Sequence, residues 1–112
     1  MTHFQQNRPK ESEKDIQRAI LDWLAVHRIF HYRQNTGGFR DSQNHFYRFG
    51  HVGAPDIVAV VDGRYVGIEV KGPKGRQREE QKQFQQDLER AGGVYVLARG
   101  LEEVEEAISR IR

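Results

Sequence analysis

The chain contains no cysteine, which excludes disulfides, thiolate nucleophiles and cysteine-based zinc sites. It also lacks an apolar run long enough to cross a bilayer. The opening residues, MTHFQQNRPKESEK, have no apolar stretch of the kind a signal peptide carries. The expectation is a cytoplasmic protein with no membrane association. No G-x-x-x-x-G-K-[ST] loop is present, so an ATP-driven activity has no seat and no nucleotide cofactor is expected. Ser12, Ser42 and Ser109 form no nucleophile elbow, and His27, His31, His45 and His51 show no zinc-ligand spacing. At 112 residues, without repeats or low-complexity tracts, there is room for one modest core. We expect a polar N-terminal tail over 1–11 and a single domain over 12–112.

What is abundant is charge, and its placement says more than its sum. The formal net charge is only +2, from 18 Lys+Arg against 16 Asp+Glu. Acids crowd the end at Glu102, Glu103, Glu105 and Glu106, while bases gather at Arg28, Arg33, Arg40 and Arg48. A second basic group spans Lys71, Lys74, Arg76, Arg78 and Lys82. A basic surface of this kind suits a polyanion held by its phosphates. Lys and Arg are also common on surfaces that bind nothing.

Hydrophobic periodicity divides the chain. Pro9 discourages an early helix, and Ser12 with Asp15 reads as an N-cap with a weak capping box. From Glu13 to about His27, Ile16, Ala19, Ile20, Trp23 and Leu24 recur at helical spacing. Glu13 and Gln17 fall on the Ile20/Leu24 side of that helix. Either Glu13 simply favours the helix dipole, or it points toward the sheet. Residues 29–34 read as a short strand, and 35–53 as a glycine-rich loop with Phe39, Phe46, Tyr47 and Phe49 among Arg40, His45, Arg48 and His51. Interleaved bases and aromatics can grip a phosphate backbone and stack on bases. For Phe46 and Phe49, pinning the loop to the core is the preferred reading. Further on, Arg76 to Ala91 is helical and Val94–Leu97 is a buried strand, which implies a parallel crossover. A last helix runs from Leu101 to about Arg110. The order is α-β-β-β-α-β-α, an α/β fold with a mixed central sheet flanked by helices.

The most informative stretch is Gly53–Gln81. Asp62-Gly63 between DIVAVV and RYVGIEV predicts a type I′ hairpin, since both central residues need positive φ. The register then pairs Val61 with Arg64, Val60 with Tyr65, Ala59 with Val66, Val58 with Gly67 and Ile57 with Ile68. Asp56 falls opposite Glu69, and Lys71 follows on the same face. The other face, with Ile57, Ala59, Val61, Val66, Ile68 and Val70, is wholly apolar. Val58, Val60 and Tyr65 make the acid-bearing face partly apolar too, and the first helix is the candidate to cover it. Two opposed carboxylates repel unless something positive lies between them. A hard divalent cation, Mg²⁺ or Mn²⁺, suits an oxygen-rich set comprising Asp56, Glu69, the Val70 carbonyl and Glu13. Such a set can drive phosphodiester hydrolysis, with Lys71 orienting water or stabilising charge. Individually, these residues could also be a turn cap and an ordinary ion pair.

The ordered set E13-x-x-x-Q17, R33-Q-N-T-G-G38, G53-A-P-D56, E69-V-K-G72 and Q81-x-x-F84 resembles the virus-type replication-repair nuclease (VRR-NUC) domain of the PD-(D/E)xK nuclease superfamily. The resemblance spans Ser12 to Ile108 and implies a restriction-endonuclease-like core. It implies metal binding by Asp56 and Glu69, a catalytic Lys71, an approach of Glu13 to the metal, and support from Gln81. Gln17 matches more weakly. Arg33 and Asn35 match a segment near the DNA path, and Arg40, Arg48, Lys74, Arg76 and Arg78 are added from charge. The implied activity is that of a DNA endonuclease, acting on four-way junctions or other branched DNA in the manner of a Holliday junction resolvase. A homodimer, a role in DNA repair and a bacterial or virus-infected cell are implied with it. The alternatives are a flap or duplex-nicking nuclease with the same site, and a non-catalytic DNA-binding or assembly module.

Overall fold

The computed structural model describes residues 11–34 and 37–112. Along them run α1 (Glu13–Val26), β1 (Phe30–Arg33), β2 (Gly37–Arg40), β3 (Phe46–Phe49), β4 (Ile57–Val61), β5 (Arg64–Val70), α2 (Glu79–Arg90), β6 (Val94–Ala98) and α3 (Leu101–Ile111). Helix α1 starts where the capping pattern places it. The Ser12 hydroxyl accepts from the Asp15 N–H at 3.1 Å, and Asp15 Oδ2 accepts from the Ser12 N–H at 3.5 Å. No helix among the described residues is long and apolar enough to cross a membrane.

The central sheet has the order β1-β4-β5-β6, antiparallel except for the parallel pair β5–β6. The β4–β5 register is the expected one, from Ile57↔Ile68 to Val61↔Arg64. Asp62 and Gly63 both take positive φ, 49° and 79°, as a type I′ turn demands. The parallel β5–β6 pair follows from the crossover through α2, since neighbouring parallel strands cannot be joined by a tight turn.

Two features depart from expectation. The stretch read as a loop contains a second sheet, the antiparallel ribbon β2–β3, so the order is α-β-β-β-β-β-α-β-α. Its connection, Asp41–His45, is not a dipeptide turn; it is built by Asp41 Oδ1, which accepts from the N–H groups of Gln43 and His45, both at 2.9 Å. The second departure concerns which helix covers which face. Ile16, Ile20 and Leu24 of α1 join Val104 and Ile108 of α3 against Ile57, Ala59, Val61, Val66, Ile68 and Val70. The acid-bearing face is instead covered by α2, which sets Gln81 against Glu69 and Leu88 near Gly67. Polarity explains the choice. The aliphatic stripe of α1 needs an all-aliphatic partner, whereas α2 buries a glutamine and matches a face that carries a carboxylate.

The loop entering β4 is pressed onto α2 at Gly53, whose φ is +82°. A Cβ there would lie 2.2 Å from the Glu80 carbonyl oxygen, whereas one on Gly63 would meet nothing within 4 Å. Gly63→Ala should therefore lose only the left-handed backbone preference, about 1–2 kcal/mol. Gly53→Ala should lose more, because the backbone of α2 must also retreat. Urea unfolding of the two variants checks this order; equal losses would mean that the loop does not press on the helix.

Candidate functional site

The site lies where β4 begins and β5 ends. Asp56 precedes β4, held by the buried Ala54-Pro55 pair, and its carbonyl accepts from the Gln34 N–H at 2.8 Å. Its carboxylate turns toward the neighbouring strand, where Oδ2 accepts the Val70 N–H at 2.9 Å. That side chain therefore takes the place a main-chain acceptor would hold if the ladder ran on. Glu69 and Lys71 are buried, at 4% and 9% exposure, with Lys71 Nζ 3.4 Å from Glu69 Oε2. The same Oε2 accepts from Gln81 Nε2 at 3.0 Å. Gln81 is fixed at its other end, because its Oε1 accepts the Arg78 N–H at 2.9 Å at the start of α2. Gly75 leaves room for the lysine stem: a Cβ added there would sit 3.2 Å from Lys71 Cδ. The structure thus brings Asp56, Glu69, Lys71 and Gln81 together.

Glu13 is exposed on the first turn of α1, but that turn abuts the end of β5, with its backbone nitrogen 3.8 Å from a Cβ placed on Gly72. Its charge reaches both inner acids. Burial raises the Asp56 carboxyl above its ordinary range; the Val70 N–H, Lys71 and Arg33 oppose this, and Glu13 adds to it. Glu69 is pushed up to about 7, first by burial and then by the Asp56 charge, against the pull of Lys71. The first turn of α1 thus lies near enough for the Glu13 charge to act on both carboxyls, while its side chain stays exposed.

No protein-family model and no curated protein matches the chain. The site must be read from its own chemistry.

Glu69 Oε1 is buried with no hydrogen-bond partner. An unmet buried acceptor costs about 1–3 kcal/mol, and more when charged, so this oxygen calls for a proton or a cation. Among the described residues no three His, Cys, Asp or Glu side chains lie close enough to form a cage by themselves. Two carboxylates and a main-chain oxygen still fit Mg²⁺, which keeps several waters and takes one or two carboxylates. Asp56 and Glu69 would hold it. The Val70 side chain is packed in the opposite core, and its N–H is engaged by Asp56, so only its carbonyl could contribute.

The basic residues divide into three groups. Arg33 stands near enough to Asp56 to lower its carboxyl, and it shares a recess of about 310 Å³ with Lys14, Gln17 and Arg18. Lys74, Arg76 and Arg78 are exposed on the segment joining β5 to α2, and Arg40 and Arg48 ride on the β2–β3 ribbon. Arg48 and Arg78, far apart in sequence, line one cavity of about 240 Å³ with Phe46 and Glu80. Asn35 lies outside the described residues, as does the side chain of Phe49. Phe46 is exposed, so it does not pin the segment to the core.

Sequence reasoning missed Lys14 and Arg18, which helical spacing places on the outer side of α1. It also missed Tyr95. Paired with Gly67 in the β5–β6 register, Tyr95 lies on the acid-bearing face with its hydroxyl buried and unpartnered. Burial pushes it up to about 12, opposed by Gln77, with the Glu69 and Asp56 charges adding to the rise. The period of two in VYVL was the signal available.

The raised Glu69 has a consequence for stability. Unfolded, it loses its proton near 4.5; folded, near about 7. Between those values the folded state binds more protons, so stability falls as pH rises through this window. The full loss is about 3 kcal/mol. Denaturant unfolding in chelator at about pH 5 and about pH 8 should show the fall, and Glu69→Gln should flatten it. Added Mg²⁺ or Mn²⁺ should recover part of the loss at the higher pH. An unchanged slope in Glu69→Gln would refute the assignment.

Proposed function

We propose that this protein is a divalent-metal-dependent DNA endonuclease that hydrolyses phosphodiester bonds through Asp56, Glu69 and Lys71. The observation that carries the reading is a buried carboxylate, Glu69, with one oxygen tied to Gln81 and Lys71, the other left without a donor, and its carboxyl raised further by the Asp56 charge. Lys71 offsets part of the charge of two carboxylates in so dry a position, and a further cation or a proton would offset the rest. When bound, Mg²⁺ or Mn²⁺ would polarise a phosphoryl oxygen and lower the pKa of the attacking water. Lys71 Nζ, held against Glu69, would orient that water or donate to the charge that develops on the phosphate. Gln81 is a positioning residue, holding the Glu69 carboxylate at a set angle.

The finer fold reading belongs to the same proposal. A mixed sheet with Asp56 before β4, Glu-x-Lys at the end of β5 and a glutamine on the following helix supports a PD-(D/E)xK core of the VRR-NUC type. Arg33 beside Asp56 and the recess it shares with Lys14 and Arg18 support DNA as the polyanion. A backbone-reading enzyme of this size suits branched DNA, where shape rather than base sequence selects the site. Pairing of two copies is supported by an exposed apolar patch: Phe30 and Tyr32 on edge strand β1, with Val60 opposite Phe30 on β4. A two-fold pair presents two symmetric sites, as a four-way junction requires.

Labelled four-way junction, flap and linear duplex incubated with Mg²⁺, Mn²⁺ or chelator test the activity. Asp56→Ala and Lys71→Ala should each reduce cleavage by roughly 10²–10⁴-fold. Gln81→Ala should cost about 10–100-fold. Cutting that persists in chelator, or in both Ala variants at the parental rate, would overturn the proposal. A parent that binds DNA and holds metal but never cuts would leave a non-catalytic module. Separately, Phe30→Lys should shift the solution mass from dimer to monomer, which sedimentation would reveal.

A further inference from the structure

Resting on the nuclease reading, we infer that the β2–β3 ribbon is an arm that stacks on unpaired nucleobases, so that among branched DNAs the favoured substrate carries a single-stranded segment beside a duplex. The ribbon pairs only with itself and shares no ladder with the four-stranded sheet. Three of its rings leave much of their surface in solvent: Phe39, Phe46 and Tyr47 remain 56%, 52% and 48% exposed. An isolated two-stranded ribbon is marginal in water, so this much exposed aromatic surface calls for a partner.

The two faces of the ribbon have the chemistry of a single strand. On one, Phe39 and Tyr47 are cross-strand partners, stacked at 5.3 Å between centroids with planes 25° apart. The stacked pair stays about half exposed, and every base has a π face to set against such rings. On the other, Phe46 lies beneath the guanidinium groups of Arg40 at 5.4 Å and Arg48 at 5.9 Å. Those charges remain available to phosphates. Asp41, the one acid of the ribbon, is occupied in the turn, where its carboxylate accepts the N–H groups of Gln43 and His45. The foot of the arm opens into the cavity that Arg48 and Arg78 share, where Glu80 lies 3.8 Å from the Arg78 guanidinium and Arg48 is the ribbon's own charge. A second copy fits this face less well, since a two-fold contact would bring the same arginines together. Nucleic acid complements them.

The test uses the full chain in chelator, where binding is read without cutting. The probes are one sequence prepared as single strand, splayed duplex and blunt duplex, with 2-aminopurine in the unpaired segment. The Phe39→Ala/Tyr47→Ala double variant should lose about tenfold or more in affinity for the single strand and the splayed duplex, together with the 2-aminopurine quench. Blunt-duplex affinity and the salt slope should stay at the parental value, and Tyr47→Phe should keep the quench that Tyr47→Ala loses. Equal loss on all three probes, or no loss on any, overturns the arm. So does a drop in solution mass in the double variant, which would make the ribbon a contact between copies. Failure of the parent to bind any probe overturns it whatever a cleavage assay shows. A parent that stacks bases but cuts nothing with metal refutes the nuclease reading and leaves the arm standing.

Discussion

The hydrogen bond from the Val70 N–H to Asp56 Oδ2 is the constraint on which the site depends. It closes the β4–β5 ladder with a side chain, so the strands end with a carboxylate turned inward rather than with an open pair of main-chain groups. Every neighbouring position follows from it. Glu69 precedes Val70 and is turned to the opposite face, where Gln81 meets it. Lys71 continues the alternation and keeps its main chain in register with β6 through the Ala98 carbonyl, 3.0 Å away. A charged hydrogen bond of this kind is roughly twice as strong as a neutral one, which helps to hold Asp56 near a second acid.

The balance of energies around that bond is unfavourable by design of the chain's own residues. Burial raises both inner carboxyls, the Asp56 charge adds to the rise at Glu69 and Glu13 adds to it at each, while Lys71 opposes it at both. Lys71, helped at Asp56 by Arg33, acts against three acids once Glu13 is counted, and Glu69 Oε1 has no donor. The aliphatic core on the far side of the sheet supplies the stability that tolerates this. Ile20, Leu24, Ile57, Val66, Ile68 and Val70 are fully enclosed there, and truncating such side chains to Ala typically costs about 2–5 kcal/mol each. The sheet therefore separates two tasks: one face holds the fold, and the other holds charge.

The separation also accounts for the positions of the three helices. The aliphatic face takes α1 and α3, whose stripes are Ile, Leu and Val. The charged face takes α2, whose buried residue is Gln81. Because α2 is the crossover between parallel strands, it reaches this face with its N-terminus toward the end of β5, and a glutamine at the third helical position can serve both the cap and Glu69. The β2–β3 ribbon belongs to neither layer, and Phe39, Phe46 and Tyr47 on it remain about half in solvent.

Short-range physics made much of this legible in the sequence. A two-residue Asp-Gly turn sets its own register, so the opposition of Asp56 and Glu69 and the alignment of Lys71 could be counted residue by residue. The Ser12 cap, the helical stripe of α1 and the parallel β5–β6 pair are likewise local consequences of spacing and connection length. The tertiary structure alone decided the rest. Which helix covers the acids depends on matching polar with polar across elements far apart in the chain, and periodicity carries no information about partners. The ribbon escaped notice because its five-residue turn is closed by an Asp41 side chain rather than announced by a dipeptide. Tyr95, Lys14 and Arg18 reach the site only through packing. The chain encodes the Asp-Gly turn locally, but the burial that raises Glu69 exists only once α2 has closed over it.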